Sequence, residues 1–195
     1  MTQGLHLFRD LAKYYDIQYS WKDYRAETKR LEAIARRYGR SGGRDWLDVA
    51  CGTGRHLEYL RQRYDCMGVD ASSEMLRVAR RRLPGVRLVR GDMRTFSLGR
   101  RFDVVSCLFS AVGLLTNERD LKRSFARFAD HLKPGGVVIV EPWILPSRAK
   151  AGHVHLRTSE TPEATLVRLA YSEVRGRWTV IRYYHLIGIP GRGVR

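Results

Sequence analysis

The chain has 195 residues, of which 44% are hydrophobic and 10% aromatic, enough apolar material for the core of one domain and too much for a disordered chain. It carries 36 basic and 20 acidic residues, so its formal net charge is +16. No stretch reaches the roughly 18 consecutive apolar residues of a membrane span, and the N-terminus lacks a secretory pattern. We therefore expect a cytoplasmic protein that neither spans nor binds a membrane.

The first forty residues are expected to be helical and to precede the sheet. Aromatic residues are dense in Leu5–Tyr24, which is expected to form either a lid or part of the core. The next stretch, Ala26–Tyr38, is predicted to be a helix, because its apolar residues recur at helical spacing on one face. That face comprises Leu31, Ile34, Ala35 and Tyr38.

Residues 45–143 alternate apolar runs of strand length with amphipathic stretches of helix length, which is typical of parallel βαβ units. Most of these runs are too apolar to have a face in water, so they are expected inside a doubly wound α/β sheet covered by helices. The predicted strands are Asp45–Ala50, Asp65–Asp70, Val86–Gly91, Phe102–Phe109 and Gly136–Glu141.

Two helices between these strands have recognisable ends. Ser72 or Ser73 can cap a helix over Glu74–Leu83, and Asn117 can cap one that runs to Leu132. In the second helix the apolar side chains repeat at spacings of four, three and four, which predicts one buried stripe. Its members are Leu121, Phe125, Phe128 and Leu132.

The pattern changes after Trp143. Two β-rich runs, Thr165–Val174 and Trp178–Ile187, predict an antiparallel hairpin. We found no linker, so residues 1–195 are expected to form a single domain. It would consist of a helical lid at 1–40, a ligand-binding core at 45–143 and a hairpin extension at 144–195.

The first predicted strand passes through the glycine-containing turn Asp48-Val49-Ala50-Cys51-Gly52-Thr53-Gly54 into a helix. A Gly-x-Gly pair is weak evidence alone, because dinucleotide sites also use one. A dinucleotide turn needs a third glycine, where this chain has Leu57. Moreover, Asp48 would repel a pyrophosphate and attract a cation. The turn therefore favours a cationic ligand such as S-adenosylmethionine.

Further acids follow the next two predicted strands. Asp70 is placed to accept hydrogen bonds from both ribose hydroxyls of an adenosine. Asp92 can accept from the adenine amino group, and Met93 can pack on the ring. Any single acid could be a loop cap, but doubly wound sheets bind their ligands where these three acids lie, at the carboxyl ends of the strands.

Several motifs together resemble class I S-adenosylmethionine-dependent methyltransferases. They are Trp46 to Gly54, Gly68-Val69-Asp70, Gly91-Asp92-Met93-Arg94, Phe102-Asp103-Val104-Val105 and Leu132-Lys133-Pro134-Gly135-Gly136. Within that superfamily the chain is most similar to the amino-sugar N,N-dimethyltransferases of macrolide biosynthesis. The segments that carry this closer likeness are Tyr15 to Tyr19, Lys22-Asp23-Tyr24, Cys107 to Ser110 and Val138 to Trp143.

The resemblance implies a small-molecule methyl acceptor, such as the amine of an amino sugar. It places further cofactor contacts beside the motifs, at Ala50, Ala71, Met75 and Leu108. Together with Asp48, Gly52, Gly54, Asp70, Asp92 and Met93 they form the expected cofactor site. The candidate catalytic residues are Tyr15 and Tyr19, and Glu141 and Trp143 are the candidate substrate pocket.

Two departures from that family are visible. The sugar enzymes have a Gly-His pair after the fourth strand, where this chain has Gly113-Leu114. Relatives also continue beyond the hairpin with another helix and two strands, so the C-terminal part of the fold is expected to be missing. A central strand would then lie at the sheet edge. We expect either the hairpin or a second copy, in a symmetric homodimer, to cover it.

Two other functions are compatible with the sequence. The net charge favours a nucleic-acid methyltransferase, although its arginine clusters are spread along the chain and could form an ordinary solvated surface. The turn after the fourth strand lacks the prolines and aromatic ring that stack a flipped adenine. A cofactor-binding protein without turnover is a third possibility. No metal site is expected, because His153 and His155 lack a third ligand and the three cysteines lack metal spacing.

Overall fold

The computed structural model describes residues 8–9, 11–176 and 178–194. The described residues fall into two compact units. The first contains the described residues up to Lys13 together with Asp23–Trp143, and the second contains Tyr14–Lys22 and the described residues from Ile144 onward. That residues 1–195 form a single domain stays a prediction.

The first unit is built on a parallel sheet of five strands, in the order β3-β2-β1-β4-β5. Its central strands are buried on both faces, which explains their continuous apolar runs. The predicted doubly wound α/β fold is confirmed. The strand Asp65–Asp70 has its predicted bounds, and the bounds of the other strands differ from the predictions by at most four residues. The strands are β1 Asp45–Val49, β2 Asp65–Asp70, β3 Arg87–Arg90, β4 Phe102–Cys107 and β5 Leu132–Val140.

Three of the four α-helices that the structure describes in the first unit begin at side-chain caps, whereas the helix that starts at Arg55 follows Gly54 and has none. Asp23 accepts from the Ala26 amide at 2.8 Å, and Asn117 accepts from the Asp120 amide at 2.8 Å. Of the two serines proposed as a cap, Ser72 is the one that accepts a helix amide, at 3.1 Å. These bonds satisfy amide groups that the helices themselves leave without a partner. The helices are α2 Tyr24–Tyr38, α3 Arg55–Leu60, α4 Ser73–Arg82 and α5 Glu118–Asp130.

The buried stripes of α2 and α5 are narrower than predicted. In α5, Phe128 is fully buried against Phe96, whereas Leu121 and Phe125 are 37% and 42% exposed. In α2 the same difference separates the buried Leu31 and Ala35 from the exposed Ile34 and Tyr38. Periodicity gives the direction of an apolar face, but the width buried depends on the neighbouring element. The predictions for these four exposed side chains were therefore wrong.

The second unit contains a four-stranded antiparallel sheet in the order β6-β7-β8-β9. Its two central strands are the predicted hairpin, each extended by one or two residues. The outer strand β6 was missed because its pattern is inverted: Val154 and Leu156 are exposed, while the alternate positions carry His155 and Arg157. The strands are β6 Val154–Glu160, β7 Thr165–Arg175, β8 Trp178–Ile189 and β9 Gly193–Val194.

The aromatic segment predicted as a lid or core divides between the two units. Residues 5–7 and Asp10 lie outside the described residues. The short helix α1, Tyr15–Gln18, belongs to the second unit and contacts β6 and β7, whereas Tyr24 belongs to the first. The lid therefore stays a prediction. In the part of the chain that the structure describes, no helix is long and apolar enough to cross a membrane.

Candidate functional site

The turn between β1 and α3 brings backbone amides to the carboxyl edge of the sheet. Ala50, Gly52 and Gly54 all have positive φ angles, of 58°, 55° and 76°. A Cβ on Gly54 would lie 2.5 Å from a Leu83 methyl, so this glycine is needed for packing. A Cβ on Gly52 would meet nothing within 4 Å. Gly52 thus faces open space, where a ligand can approach the backbone closely.

Asp48 lies at the end of β1 and is only 2% exposed. Its carboxylate accepts a hydrogen bond from the Ser106 hydroxyl at 2.7 Å, and Ser106 accepts one from the Trp46 indole at 2.9 Å. Burial raises the pKa of Asp48 to about 6, opposed by His56 and Ser106. A carboxylate held with so little water is stabilised by any cation bound nearby.

Asp70, at the end of β2, holds the glycine turn in place. One carboxylate oxygen accepts from the Gly52 amide at 2.8 Å, and the other accepts from the Ser72 amide at 2.8 Å. Burial raises the pKa of Asp70, and these two hydrogen bonds oppose the shift. Each carboxylate oxygen keeps a further acceptor position. The side chain can therefore support the turn and accept from ligand hydroxyls together.

Asp92 follows β3 and pairs with Arg94, for which the sequence predicted no role. Arg94 donates to both Asp92 oxygens, at 2.9 and 2.5 Å, and also reaches Asp120 at 3.1 Å. Arg94 holds the pKa of Asp92 below its usual value. Met93 is half-buried against the core beneath the sheet edge. Only the position of Arg94 in the Gly91 to Arg94 motif could have drawn attention to it.

The remaining predicted cofactor contacts surround the same edge of the first unit. Ala71 is exposed directly after β2, whereas Met75 in α4 is 1% exposed and Leu108 after β4 is 6% exposed. Met75 and Leu108 are therefore buried side chains of the first unit. Their contact with a ligand stays a prediction.

The segments after β4 and β5 form a strained corner that contains both predicted pocket residues. Phe109 and Ser110 have positive φ angles of 51° and 58°, which cost energy in residues other than glycine. Glu141 accepts from the Phe109 amide at 2.6 Å, and Ser110 donates to the Pro142 carbonyl at 3.0 Å. Trp143 packs on Gly113, where a Cβ would lie 3.0 Å from the indole. These contacts fix the conformation of the corner, and its role as a substrate pocket stays a prediction.

The two candidate catalytic tyrosines belong to the second unit. The rings of Tyr15 and Tyr19 are 4.7 Å apart, and Tyr19 is buried. Their catalytic role stays a prediction. His56 in α3 has structural contacts, since it bonds Glu27 at 2.9 Å and packs on the Tyr24 ring. Within the described ranges, no group of His, Cys, Asp or Glu side chains is arranged to hold a metal ion.

Comparison with known proteins identifies the family of this chain. Residues 47–136, which contain the turn and all three acids, match the family described as methyltransferase domain. The chain is 42% identical over 188 residues to a dTDP-3-amino-3,6-dideoxy-alpha-D-glucopyranose N,N-dimethyltransferase of Streptomyces fradiae, covering 95% of this chain and 73% of that protein. The chain belongs to this family of methyltransferases. It is an S-adenosylmethionine-dependent enzyme.

Two solved structures that resemble the chain support the same family. The crystal structure of Streptomyces venezuelae DesVI superimposes on the methyltransferase with a TM-score of 0.87 at 40% identity, covering 94% of this chain and 79% of the other. The S-adenosylmethionine-bound structure of CalS10, an amino pentose methyltransferase from Micromonospora echinaspora, gives 0.78 at 39% identity, covering 89% and 73%. The shared fold includes the doubly wound sheet predicted from sequence.

The residues of the methyltransferase fit this cofactor. Open space above Gly52 allows a ligand to approach the turn, and the buried Asp48 carboxylate favours a cation. Asp70 retains acceptor positions for ribose hydroxyls. When bound, S-adenosylmethionine supplies an activated methyl group on a sulfonium, so the protein contributes orientation and exclusion of water.

Proposed function

We propose that the methyltransferase acts on the amine of a sugar that is linked to a nucleoside diphosphate, and that it converts this amine to a dimethylamine. The observation that carries the proposal is the 42% identity over 95% of the chain to an enzyme named for this reaction. A second relative of that kind, from Streptomyces venezuelae, is 40% identical over 95% of the chain.

The chemistry requires a neutral amine, because the nitrogen lone pair attacks the methyl carbon as the carbon–sulfur bond breaks. The nitrogen then carries a proton that must leave before a second transfer. Leu114 occupies the position where the family resemblance suggests a histidine, and its side chain is exposed. No imidazole at that position can accept the proton. We therefore expect water to accept it and the rate to rise with pH as the amine becomes neutral.

The residues around the edge of the first unit have separable roles in this scheme. The Gly52 turn and Asp70 orient the cofactor, and Asp48 stabilises its charge. The corner of Phe109 and Ser110, held by Glu141, would form one wall of the acceptor pocket. All of these roles concern positioning, which can lower the barrier greatly without a catalytic base.

A turnover assay tests the proposal directly. The purified chain is incubated with S-adenosylmethionine and a dTDP-linked amino sugar, and the products are followed by mass spectrometry. We expect the sugar to gain first one and then two methyl groups. The matched control is the same sugar with a hydroxyl in place of the amine, which should gain none. Methylation of the hydroxyl sugar, or of neither compound, would contradict the proposed acceptor.

Two finer assignments accompany this proposal. A cytoplasmic location stays a prediction. Self-association as a homodimer is supported by large apolar side chains that are exposed on the antiparallel sheet, since such groups often mark protein contacts. Sedimentation at micromolar concentration should show a dimer, and a monomer would rule it out. The exposed side chains are Leu156, Trp178, Tyr184 and Leu186.

A further inference from the structure

Three basic side chains lie in one row across the antiparallel sheet of the second unit. Arg168 in β7 is paired in register with Arg157 in β6 on one side and with His185 in β8 on the other. Residues directly opposite each other in antiparallel strands point to the same face. The row therefore places two guanidinium groups and an imidazole side by side.

This row has no acidic partner in the sheet. Glu160 and Glu173 are the acidic residues of β6 and β7, and strand alternation directs both to the other face. On that face Glu173 pairs with Arg175 and Arg182. Among the residues that the structure describes, neither Arg157 nor Arg168 forms an ion pair. Arg168 is nevertheless only 8% exposed, and like charges placed directly opposite destabilise a sheet.

Hydrogen-bond donors around the row also lack acceptors. The Nε atoms of Arg157 and Arg168 and the amide nitrogen of Gln18 are buried without a hydrogen-bond partner in the described part of the chain. The Gln18 side-chain oxygen is already used, because it accepts from His185 at 2.8 Å. Burial and the charge of Arg168 lower the pKa of His185, so this ring is a neutral donor. Buried donors without acceptors are costly and rare.

Aromatic rings hold the two guanidinium groups in place. Arg168 lies between the rings of Tyr19 and Tyr183, at 5.5 and 5.3 Å from their centres. Arg157 lies over the Trp21 ring at 4.6 Å. Stacking on ring faces leaves the edges of a guanidinium free to donate, which is the geometry used to bind phosphate. The donors are thus fixed before any ligand arrives.

The geometry points to an anion site, formed by Gln18, Arg157 and Arg168 in the second unit, that binds the diphosphate group of the methyl acceptor. A diphosphate linked to both a nucleoside and a sugar carries two negative charges, one for each guanidinium. Its oxygens are the acceptors that the three donors lack. The identity of the diphosphate's source rests on the proposed function, whereas the anion site itself does not.

Calorimetry on the full chain without S-adenosylmethionine tests the site, with dTDP, inorganic diphosphate and thymidine as separate ligands. The variant Arg168→Met keeps the length and packing of the side chain but removes its charge. We expect it to weaken dTDP binding by about tenfold or more and to leave S-adenosylmethionine binding unchanged. Its melting temperature without ligand should equal or exceed that of the parent, because an uncompensated buried cation is removed. A purely structural arginine would give a lower melting temperature.

The matched control is Arg182→Met, which removes an arginine of the same sheet that has an acidic partner, and dTDP binding should not change. If Arg168→Met does not fold, Gln18→Leu tests the same site through a neutral donor. Equal dTDP affinity in parent and variants, or no dTDP binding by the parent, would overturn the proposal. Binding of inorganic diphosphate but not dTDP would overturn the assignment to the acceptor. Binding of dTDP without any methylation of the amino sugar would keep the anion site and contradict the proposed function.

Discussion

The sites that we propose in the two units differ in how their buried polar groups are paired. In the first, Asp48, Ser106 and Trp46 form a connected set of hydrogen bonds beneath the ligand edge. In the second, the buried donors of Gln18 and Arg168 have no hydrogen-bond partner among the residues that the structure describes. Polar groups that already hydrogen-bond to one another form a rigid support. Hydrogen-bond donors that lack an acceptor can instead bind an anion. This difference supports our proposal that the units recognise different parts of the reactants.

The largest expected effect concerns the core that makes the first unit rigid. Phe128→Ala removes a fully buried ring and should lower the free energy of unfolding by about 3–5 kcal/mol. Phe125→Ala, on the preceding turn of the same helix, removes a ring that is 42% exposed, so the loss should be much smaller. Denaturant unfolding of the two variants measures the difference. Equal losses would mean that the buried stripe is as wide as the sequence predicted.

Removing the charge of the buried Asp48 carboxylate should stabilise the fold and weaken S-adenosylmethionine binding. The pKa of Asp48 rises from 3.8 to about 6 on folding, so the folded state holds the extra proton between these values. Parental stability therefore falls as pH rises from 4 to 6, and Asp48→Asn should escape this loss. The variant should be more stable than the parent at pH 7 by about 3 kcal/mol.

Unfolding curves of parent and Asp48→Asn across this pH range provide the check. Their difference should vanish below pH 4 and be constant above pH 7. The same substitution should weaken S-adenosylmethionine binding, because it removes an attractive charge. A variant less stable than the parent at pH 7 would show that burying the ionised Asp48 carboxylate does not destabilise the fold.

Asp70→Ala should reduce S-adenosylmethionine affinity by about ten- to hundredfold, equivalent to roughly 1.5–3 kcal/mol for lost hydrogen bonds to a charged acceptor. Because Asp70 also holds the Gly52 and Ser72 amides, a lower melting temperature should accompany the loss. The control is Asp65→Ala, which removes an exposed acid at the other end of the same strand. Unchanged affinity and melting in Asp70→Ala would remove this residue from the site.

The smallest expected effect concerns nucleic acids. A net charge of +16 attracts any polyanion, but charge alone gives weak binding that is indifferent to sequence and falls steeply with salt. Filter binding to duplex DNA and folded RNA should show only this behaviour. A complex that survives high salt, or methylation of a transcript, would favour a nucleic-acid acceptor instead.

The sequence predicted the first unit better than the second for a physical reason. Strands β1, β2 and β4 are buried on both faces, so their apolar runs are visible without knowing any neighbour. Acids that follow parallel strands share one edge, which allowed Asp48, Asp70 and Asp92 to be grouped. In contrast, the row of Arg157, Arg168 and His185 depends on strand register across separate segments. No local pattern in the chain reveals such a register.

The same limit applies within the first unit. The bonds from Arg94 to Asp92 and from Phe109 to Glu141 depend on loop conformations that the sequence does not specify locally. The inverted alternation of β6 concealed a strand whose charged side lies on the face that carries the basic row. Residues that depart from ordinary patterning were therefore the hardest to predict, and in the second unit they are the ones to which we assign a function.

The division of binding between the units can be tested most directly by calorimetry on three proteins, the parent, Asp70→Ala and Arg168→Met, each titrated separately with S-adenosylmethionine and with dTDP. We predict that Asp70→Ala loses affinity for S-adenosylmethionine while keeping that for dTDP, and that Arg168→Met does the reverse. If either variant lost both affinities while remaining folded, or if neither lost any, the two units would not carry separate binding functions.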